Sequence, residues 1–332
     1  MKNLILIITI ITYSLCSAQN NDIFKTIRKI SEFTFPKELT IAEITFIDVN
    51  QQNFLITDRI SKKVYLINRQ GAQKVKELSV EKCDPGFTWR PIIARFVKDG
   101  ILLLNSIPWG YRFTLDGNCL GKMDIKFVAP LLVSGMRNGD IIGYYNAKEP
   151  FLCLMDKYGE EKKKFGQFSN EFKNFLYRYE GGGLVLDEHD NIYQIDSYDW
   201  QIKKFDSNGK FTRIIGKKPT FFRKIEKDIS NDPVKLMKEF GELIENKTTT
   251  QSMYLLAKNK ILIQYFSTNA KGNRVFIQIV DYNGNELQSS EIAGTKRILF
   301  AQDNKLYFYN QPDLKNGILP NPKIEIYEFI NN

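Results

Sequence analysis

Histidine is almost absent from this chain: its 332 residues hold one, His189. A three-histidine zinc site is therefore excluded. Ser–His–Asp or Cys–His catalysis would have to run through that single ring, which sits in the polar turn Asp187-Glu-His-Asp-Asn191. Cysteine is scarce too, with four residues and no CxxC pair to suggest a zinc or thioredoxin-like site. There is no P-loop and no Rossmann glycine pattern, and Gly181-Gly-Gly183 reads only as a close turn. After the N-terminus, no apolar run approaches the roughly twenty residues that span a bilayer. Basic residues outnumber acidic ones by 47 to 38, for a net charge of +9, but the excess is scattered. No arginine-rich stripe tracks a phosphate backbone, so no nucleic-acid partner is expected. A diffuse positive field fits either a lysine-rich soluble surface or anionic partners such as acidic glycans, lipopolysaccharide or a membrane surface.

What is present begins with a targeting segment. Lys2 supplies a positive start, Leu4 to Tyr13 a short apolar stretch, and Cys16-Ser-Ala18 a small-x-small cleavage site before Gln19. Residues 1–18 are expected to be a signal peptide, leaving 19–332 as one exported domain, periplasmic or extracellular and open to association with the envelope. Leu15 stands where a lipoprotein signal needs a small residue before Cys16, which argues against a lipid anchor. Export leaves Cys83, Cys119 and Cys153, an odd number, so at least one thiol stays free. Cys153 lies in the apolar run Phe151-Leu-Cys-Leu-Met155 and reads as a buried small hydrophobe. Cys83 and Cys119 can pair or remain thiols.

Hydrophobic content of 43% and aromatic content of 13% allow a large core. Its organisation is legible in a repeat. Six apolar runs, at 53–58, 100–105, 139–144, 190–196, 259–264 and 304–309, each follow a turn and precede a second strand-like run. Five of the six pairs end in a polar glycine turn, at Gly71, Gly117, Gly159, Gly209 and Gly284. The spacing of roughly forty to fifty residues is the period of a β-propeller blade. Such a blade cannot bury both faces alone, whereas a ring of blades can. The reading is an all-β, six-bladed propeller of four-stranded antiparallel blades, at about 40–80, 89–126, 131–168, 181–216, 251–292 and 296–330. The last blade offers only three strands. Residues 24–33 are expected to supply its fourth, pairing the chain ends and removing an open sheet edge.

The fourth repeat is the clearest. Leu184-Val-Leu-Asp-Glu-His-Asp-Asn-Ile-Tyr-Gln-Ile-Asp196 reads as strand, turn, strand, and Gln201-Ile-Lys-Lys-Phe-Asp-Ser-Asn-Gly209 as a third strand and a tight turn. This stretch resembles the NHL repeat of six-bladed propellers: Asp187, Asn191, Ile192, Tyr193, Asp196, Ile202, Phe205, Asp206 and Gly209 match its pattern, while Gln201 replaces its Arg and Asp199-Trp200 its Asn-His. The chain is also similar to exported six-bladed propellers common in Bacteroidetes, whose functions are largely undefined. One stretch breaks the rhythm. Over 221–250, Val234, Met237, Phe240, Leu243 and Ile244 recur at helical spacing after Asp232-Pro233, predicting a helical insertion between blades four and five. It would cover a blade edge, act as a lid, or contact a partner.

In a propeller, the loops before each blade's first strand and those joining its second and third strands share one rim. Here the joining loops would present Asp58, Arg59, Asn105, Trp109, Asn146, Glu149, Asp196, Tyr198, Asp199, Trp200, Asn269 and Asn310, and the preceding loops Trp89, Arg90, Arg178, Tyr179 and Arg297. Trp and Tyr stack on sugars or clasp peptide side chains, and Arg pairs with carboxylates. The candidate ligand-binding residues are accordingly Trp89, Arg90, Trp109, Arg178, Tyr198, Trp200, Asp58 and Asp196. No dedicated metal site and no cofactor are expected, although Asp and Asn oxygens on such a rim could hold calcium. The leading expectation is an exported, non-catalytic propeller binding a glycan, peptide or protein partner. The alternative is a metal-dependent or carboxylate-based hydrolase or lyase at the channel mouth, of lactonase or glycan-active type. A third is a structural part of an envelope complex. Asp58 and Asp196 occupy equivalent repeat positions, and Asp there also serves simply to fix loop backbone.

Overall fold

The computed structural model describes residues 22–36, 38–70, 75–87, 91–105, 109–124, 131–145, 150–167, 181–225, 245–269, 272–294, 296–311 and 320–330. Among the described residues, twenty-four strands form six four-stranded antiparallel sheets. Blade one holds β2 to β5 (Phe46–Val49, Asn53–Asp58, Lys63–Asn68, Val75–Glu77) and blade two β6 to β9 (Pro91–Val97, Gly100–Asn105, Trp109–Phe113, Cys119–Asp124). Blade three holds β10 to β13 (Leu132–Gly135, Ile141–Tyr144, Leu152–Met155, Glu161–Phe165) and blade four β14 to β17 (Gly183–Leu186, Ile192–Ile195, Ile202–Phe205, Phe211–Ile215). Blade five holds β18 to β21 (Thr248–Ala257, Lys260–Asn269, Gly272–Val280, Glu286–Ile292). Blade six joins β22 to β24 (Arg297–Gln302, Lys305–Asn310, Lys323–Phe329) with β1 (Ile27–Thr34) from the front of the chain. The innermost strands touch in the cycle β2, β6, β10, β14, β18, β22 and back to β2, so the ring closes.

The strand alternation explains the packing. In β15, Tyr193 and Ile195 face blade five, while Ile192 faces blade three. Both faces of the sheet are thus buried, as a blade needs. The same division recurs six times. Six apolar clusters fill the six gaps between blades, for example Phe54, Ile56, Tyr307 and Ile326 between blades one and six, and Leu102, Leu104, Ile141 and Met155 between blades two and three. The hairpins closing the outer strands repeat one device. The Asp156, Asp206 and Asp281 carboxylates each accept from the amides two and four residues on. Gly209 completes one such turn with φ of 73°, a region that glycine occupies without strain.

Blade six closes as expected. β1 runs antiparallel to β24, from Ile27 opposite Phe329 to Thr34 opposite Lys323, with an irregularity between Lys29 and Ser31. The helix expected within 221–250 falls on residues 226–244, outside those described. The described flanks carry no helix: Phe221, Phe222 and Ile225 pack on blades three to five, and Thr248 already begins β18. The helical spacing therefore cannot extend across the whole stretch, since the ring claims its end for a blade. The signal-peptide expectation at 1–18 and the glycine turn at Gly71 also lie outside the described residues. Cys83 and Cys119 form a disulfide that ties the link between blades one and two to the outermost strand of blade two. Cys153 is free and buried, and burial pushes its thiol up to about 11.

Candidate channel-mouth site

The six innermost strands surround an axial channel. Its upper end, where the loops preceding those strands gather, opens as a cavity of about 330 Å³. Every blade contributes to its wall: Thr45 and Phe46, Ile92 and Arg95, Leu131 and Leu132, Gly182 and Leu184, Gln251 to Tyr254, and Arg297 to Leu299. Glu43 and Arg59 add the loops of blade one. A second cavity of about 290 Å³ opens at the lower end, and Arg95, Leu184, Met253 and Tyr254 line both, forming a waist. The glycine triplet leads into this wall. A Cβ on Gly183 would lie 2.2 Å from the Met253 Cβ, so glycine is what lets blades four and five meet at the axis.

Among the described residues, three arginines line the upper cavity against one carboxylate, Glu43. Arg297 is held by three contacts. Its Nη2 donates to the Ile44 carbonyl at 3.1 Å and lies 3.6 Å from the Glu43 carboxylate, and its guanidinium sits 4.9 Å from the Tyr309 ring centroid. Arg95 is deeper. Its guanidinium stacks 4.4 Å from the Phe46 ring and reaches Asp48 at a long 3.5 Å, leaving a buried Nε–H with no partner. Burial pushes the Asp48 carboxyl up, against the pull of Arg95 and the amides of Phe96 and Val49. Arg95 thus faces a partner whose negative charge is itself disfavoured. Tyr254 lies between the two arginines electrostatically. Burial raises its phenol, while a hydrogen bond with Ser252 and then the charges of Arg95 and Arg297 pull the other way.

The rim carboxylates are engaged in the fold. Asp58 is fully buried and accepts from the Ala42 amide at 2.7 Å and the Ser61 amide at 3.0 Å, fixing the loop that leads into blade one. Asp196, at the equivalent position of blade four, is also fully buried, but bonds side chains instead: Lys203 Nζ at 2.5 Å, Gln194 Nε2 at 2.7 Å and the Tyr144 hydroxyl at 3.3 Å. Burial, and then the Asp196 charge, push the Tyr144 phenol far above its ordinary range, so it stays a donor. Asp199 is buried beside them, with its carboxyl pushed up by desolvation and its Oδ1 accepting from the Gln201 amide. Among the described residues, no three His, Cys, Asp or Glu side chains are grouped to hold a metal ion.

Of the expected ligand contacts, Tyr198 is buried in the core between blades three and four, and Trp200 is half-buried against the core between blades four and five. Trp109 opens β8. Trp89, Arg90 and Arg178, like Asn146, Glu149 and Tyr179, lie outside the described residues. The expected rim arginines Arg59 and Arg297 do meet at one cavity. Sequence reasoning missed Arg95, Gln251 and Ser252, whose strands read as blade core. The one available signal was a charge inside the apolar run Pro91-Ile-Ile-Ala-Arg-Phe-Val97. His189 sits in the turn between β14 and β15, at the opposite end of the channel.

No protein-family model and no curated protein matches the chain. Solved structures do. A protein from Bacteroides fragilis assigned as exported superposes with a TM-score of 0.63 at 11% identity, over 94% of this chain and 97% of that one. A member of the DUF4221 family from Bacteroides vulgatus gives 0.62 at 10% identity, over 92% and 97%. A catalytically inactive virginiamycin B lyase from Staphylococcus aureus, solved with quinupristin, gives 0.53 at 14% identity, over 91% and 85%. The likeness is one of fold. At such identities a shared ring of blades carries no shared activity. Among the described residues no helix is long and apolar enough to cross a membrane.

Proposed function

We propose that the protein is exported and serves as a non-catalytic recognition propeller, docking a glycan, peptide or protein partner on the rim of its upper channel mouth. One observation carries this reading: all six blades converge on an open upper cavity whose described charged groups are three arginines and Glu43, while the buried rim carboxylates Asp58 and Asp196 are occupied by loop amides and by Lys203. A cavity of this size falls at the lower end of small-ligand pockets, so it holds one end group of a ligand whose remainder spreads over the rim. Export draws support from the signal-like residues 1–18, from a disulfide of the kind that persists in oxidising compartments, and from the exported assignment of a fold neighbour.

The test is a binding screen of the purified protein against glycan and peptide arrays, repeated with Ser252→Trp, which fills the upper cavity from its wall. A partner bound by the native protein and lost by this variant, with melting unchanged, is the expected result. Partners that bind both proteins equally would move recognition away from the channel mouth. Turnover of any arrayed compound would replace recognition by catalysis.

A further inference from the structure

The recognition reading leaves open what the mouth selects, and the charge of its wall is specific. Among the described residues that line the upper cavity, the cations are Arg59, Arg95 and Arg297 and the carboxylate is Glu43. Arg297 is oriented before any ligand arrives, by the Ile44 carbonyl and the Tyr309 ring. Arg95 stacks on the Phe46 ring, makes a long ion pair with Asp48, and keeps an unpartnered buried Nε–H. Guanidinium groups held this way offer paired donors in a fixed fork, the geometry that grips a carboxylate. Low dielectric at the waist strengthens that attraction. The rest of the wall alternates hydroxyl and amide groups, Ser252 and Gln251, with the apolar faces of Leu131 and Leu299. That mixture matches the hydroxyls and C–H faces of a sugar ring.

Building on the recognition reading, we propose that the upper channel is a socket for a sugar acid: the carboxylate of a terminal uronate inserts between Arg297 and Arg95, with Arg59 at the lip. Arg297 releases its 3.6 Å contact with Glu43 to take the ligand. Arg95 gains the counter-charge that the buried Asp48 supplies poorly.

Isothermal titration calorimetry at low salt, with trigalacturonate, its methyl ester and triglycine as probes, tests this. The acid should bind, and the ester, alike in shape but uncharged, should bind roughly tenfold or more weakly, the loss expected for a charge-assisted contact. Arg297→Gln should impose a loss of similar size on the acid and little on the ester. Arg297→Lys should recover part of it. Circular dichroism melts confirm that both variants fold, and Arg59→Gln gives a second reading if either does not. Equal binding of acid and ester, indifference to Arg297→Gln and Arg59→Gln, or triglycine binding as tightly as trigalacturonate would overturn the socket. Each would leave rim recognition standing if an array partner still depends on Ser252. Failure of every probe together with every array partner would remove both.

Discussion

Asp196 is fully buried, and its partner Lys203 is only 9% exposed. Two charges taken this far from water need each other. The Lys203 ammonium also lies 4.8 Å from the Phe151 ring centroid, so the pair is sealed by blade three. Replacing Lys203 by Met should leave the carboxylate without its counter-ion and cost about 3–5 kcal/mol. Replacing both residues by apolar ones of similar size should recover most of that loss. Urea denaturation of the two single variants and the double checks it, and additivity of the single changes would refute the pairing. Asp58 makes a different prediction from its equivalent position. Asp58→Ala strips the acceptor from the Ala42 and Ser61 amides, and from the Glu43 amide at a longer 3.4 Å, and should cost about 2–4 kcal/mol. Asp58→Asn, which keeps one acceptor oxygen, should cost less. The repeat made both aspartates visible in the sequence, including the choice between ligand contact and loop fixation. Their divergent partners were not visible, because Lys203 and Tyr144 reach Asp196 from a neighbouring strand and a neighbouring blade.

At the scale of one element, β1 decides whether the ring closes. It buries Ile27 and Phe33 and pairs along β24, where a cross-strand charge ladder reinforces it. Glu325 of β24 stands at the centre. Lys296 at 2.5 Å and Lys29 at 2.9 Å both hold its carboxylate. Burial alone would raise this carboxyl, but the two lysines outweigh it and hold the group at about 2, below its ordinary 4.5. A depressed carboxyl stabilises the fold fully above its unfolded value and progressively less as pH falls through the folded one. The closing blade should therefore lose on the order of 3 kcal/mol between about pH 4.5 and pH 2. Glu325→Gln should be less stable at neutral pH and show a shallower acid dependence, read from urea midpoints across that range. An unchanged slope would mean that other carboxylates govern acid unfolding. The closure itself was legible in the sequence, because the sixth repeat lacks a strand and the run at residues 24–33 precedes the first blade, where it can supply one. Removing Cys83–Cys119 acts on a second element. The bridge spans 36 residues, and by loop entropy Cys83→Ala with Cys119→Ala should cost about 4 kcal/mol, measured against the oxidised protein by denaturant titration.

For the whole molecule, the informative asymmetry lies between the two ends of one channel. The six strands that begin at the upper mouth end at the lower one, where Asp48, Lys258 and Asp303 give a wall of mixed sign. Above the waist the excess is positive. The sequence showed which loops share each end, because repeat register places every blade in the same orientation. It hid what points inward. An inner strand has its faces turned to two neighbouring blades, and only a narrow line of side chains reaches the axis, so Arg95 looks like an intruder in an apolar strand rather than the floor of a cavity. A pair of substitutions separates the ends. Ser252 lines only the upper cavity and Ser134 only the lower. Each is half-buried on an innermost strand, so a tryptophan at either can project into open channel without displacing an inter-blade cluster. Ser252→Trp should abolish binding of an upper-rim partner, and Ser134→Trp should leave its affinity within about threefold, as expected for a site beyond the waist that shares no contacts with it. Titration of one identified partner against both variants decides the matter. If Ser134→Trp alone removed binding, the working face would be the lower mouth, with its short first-to-second-strand turns and His189, and the arginine wall above the waist would serve only the fold.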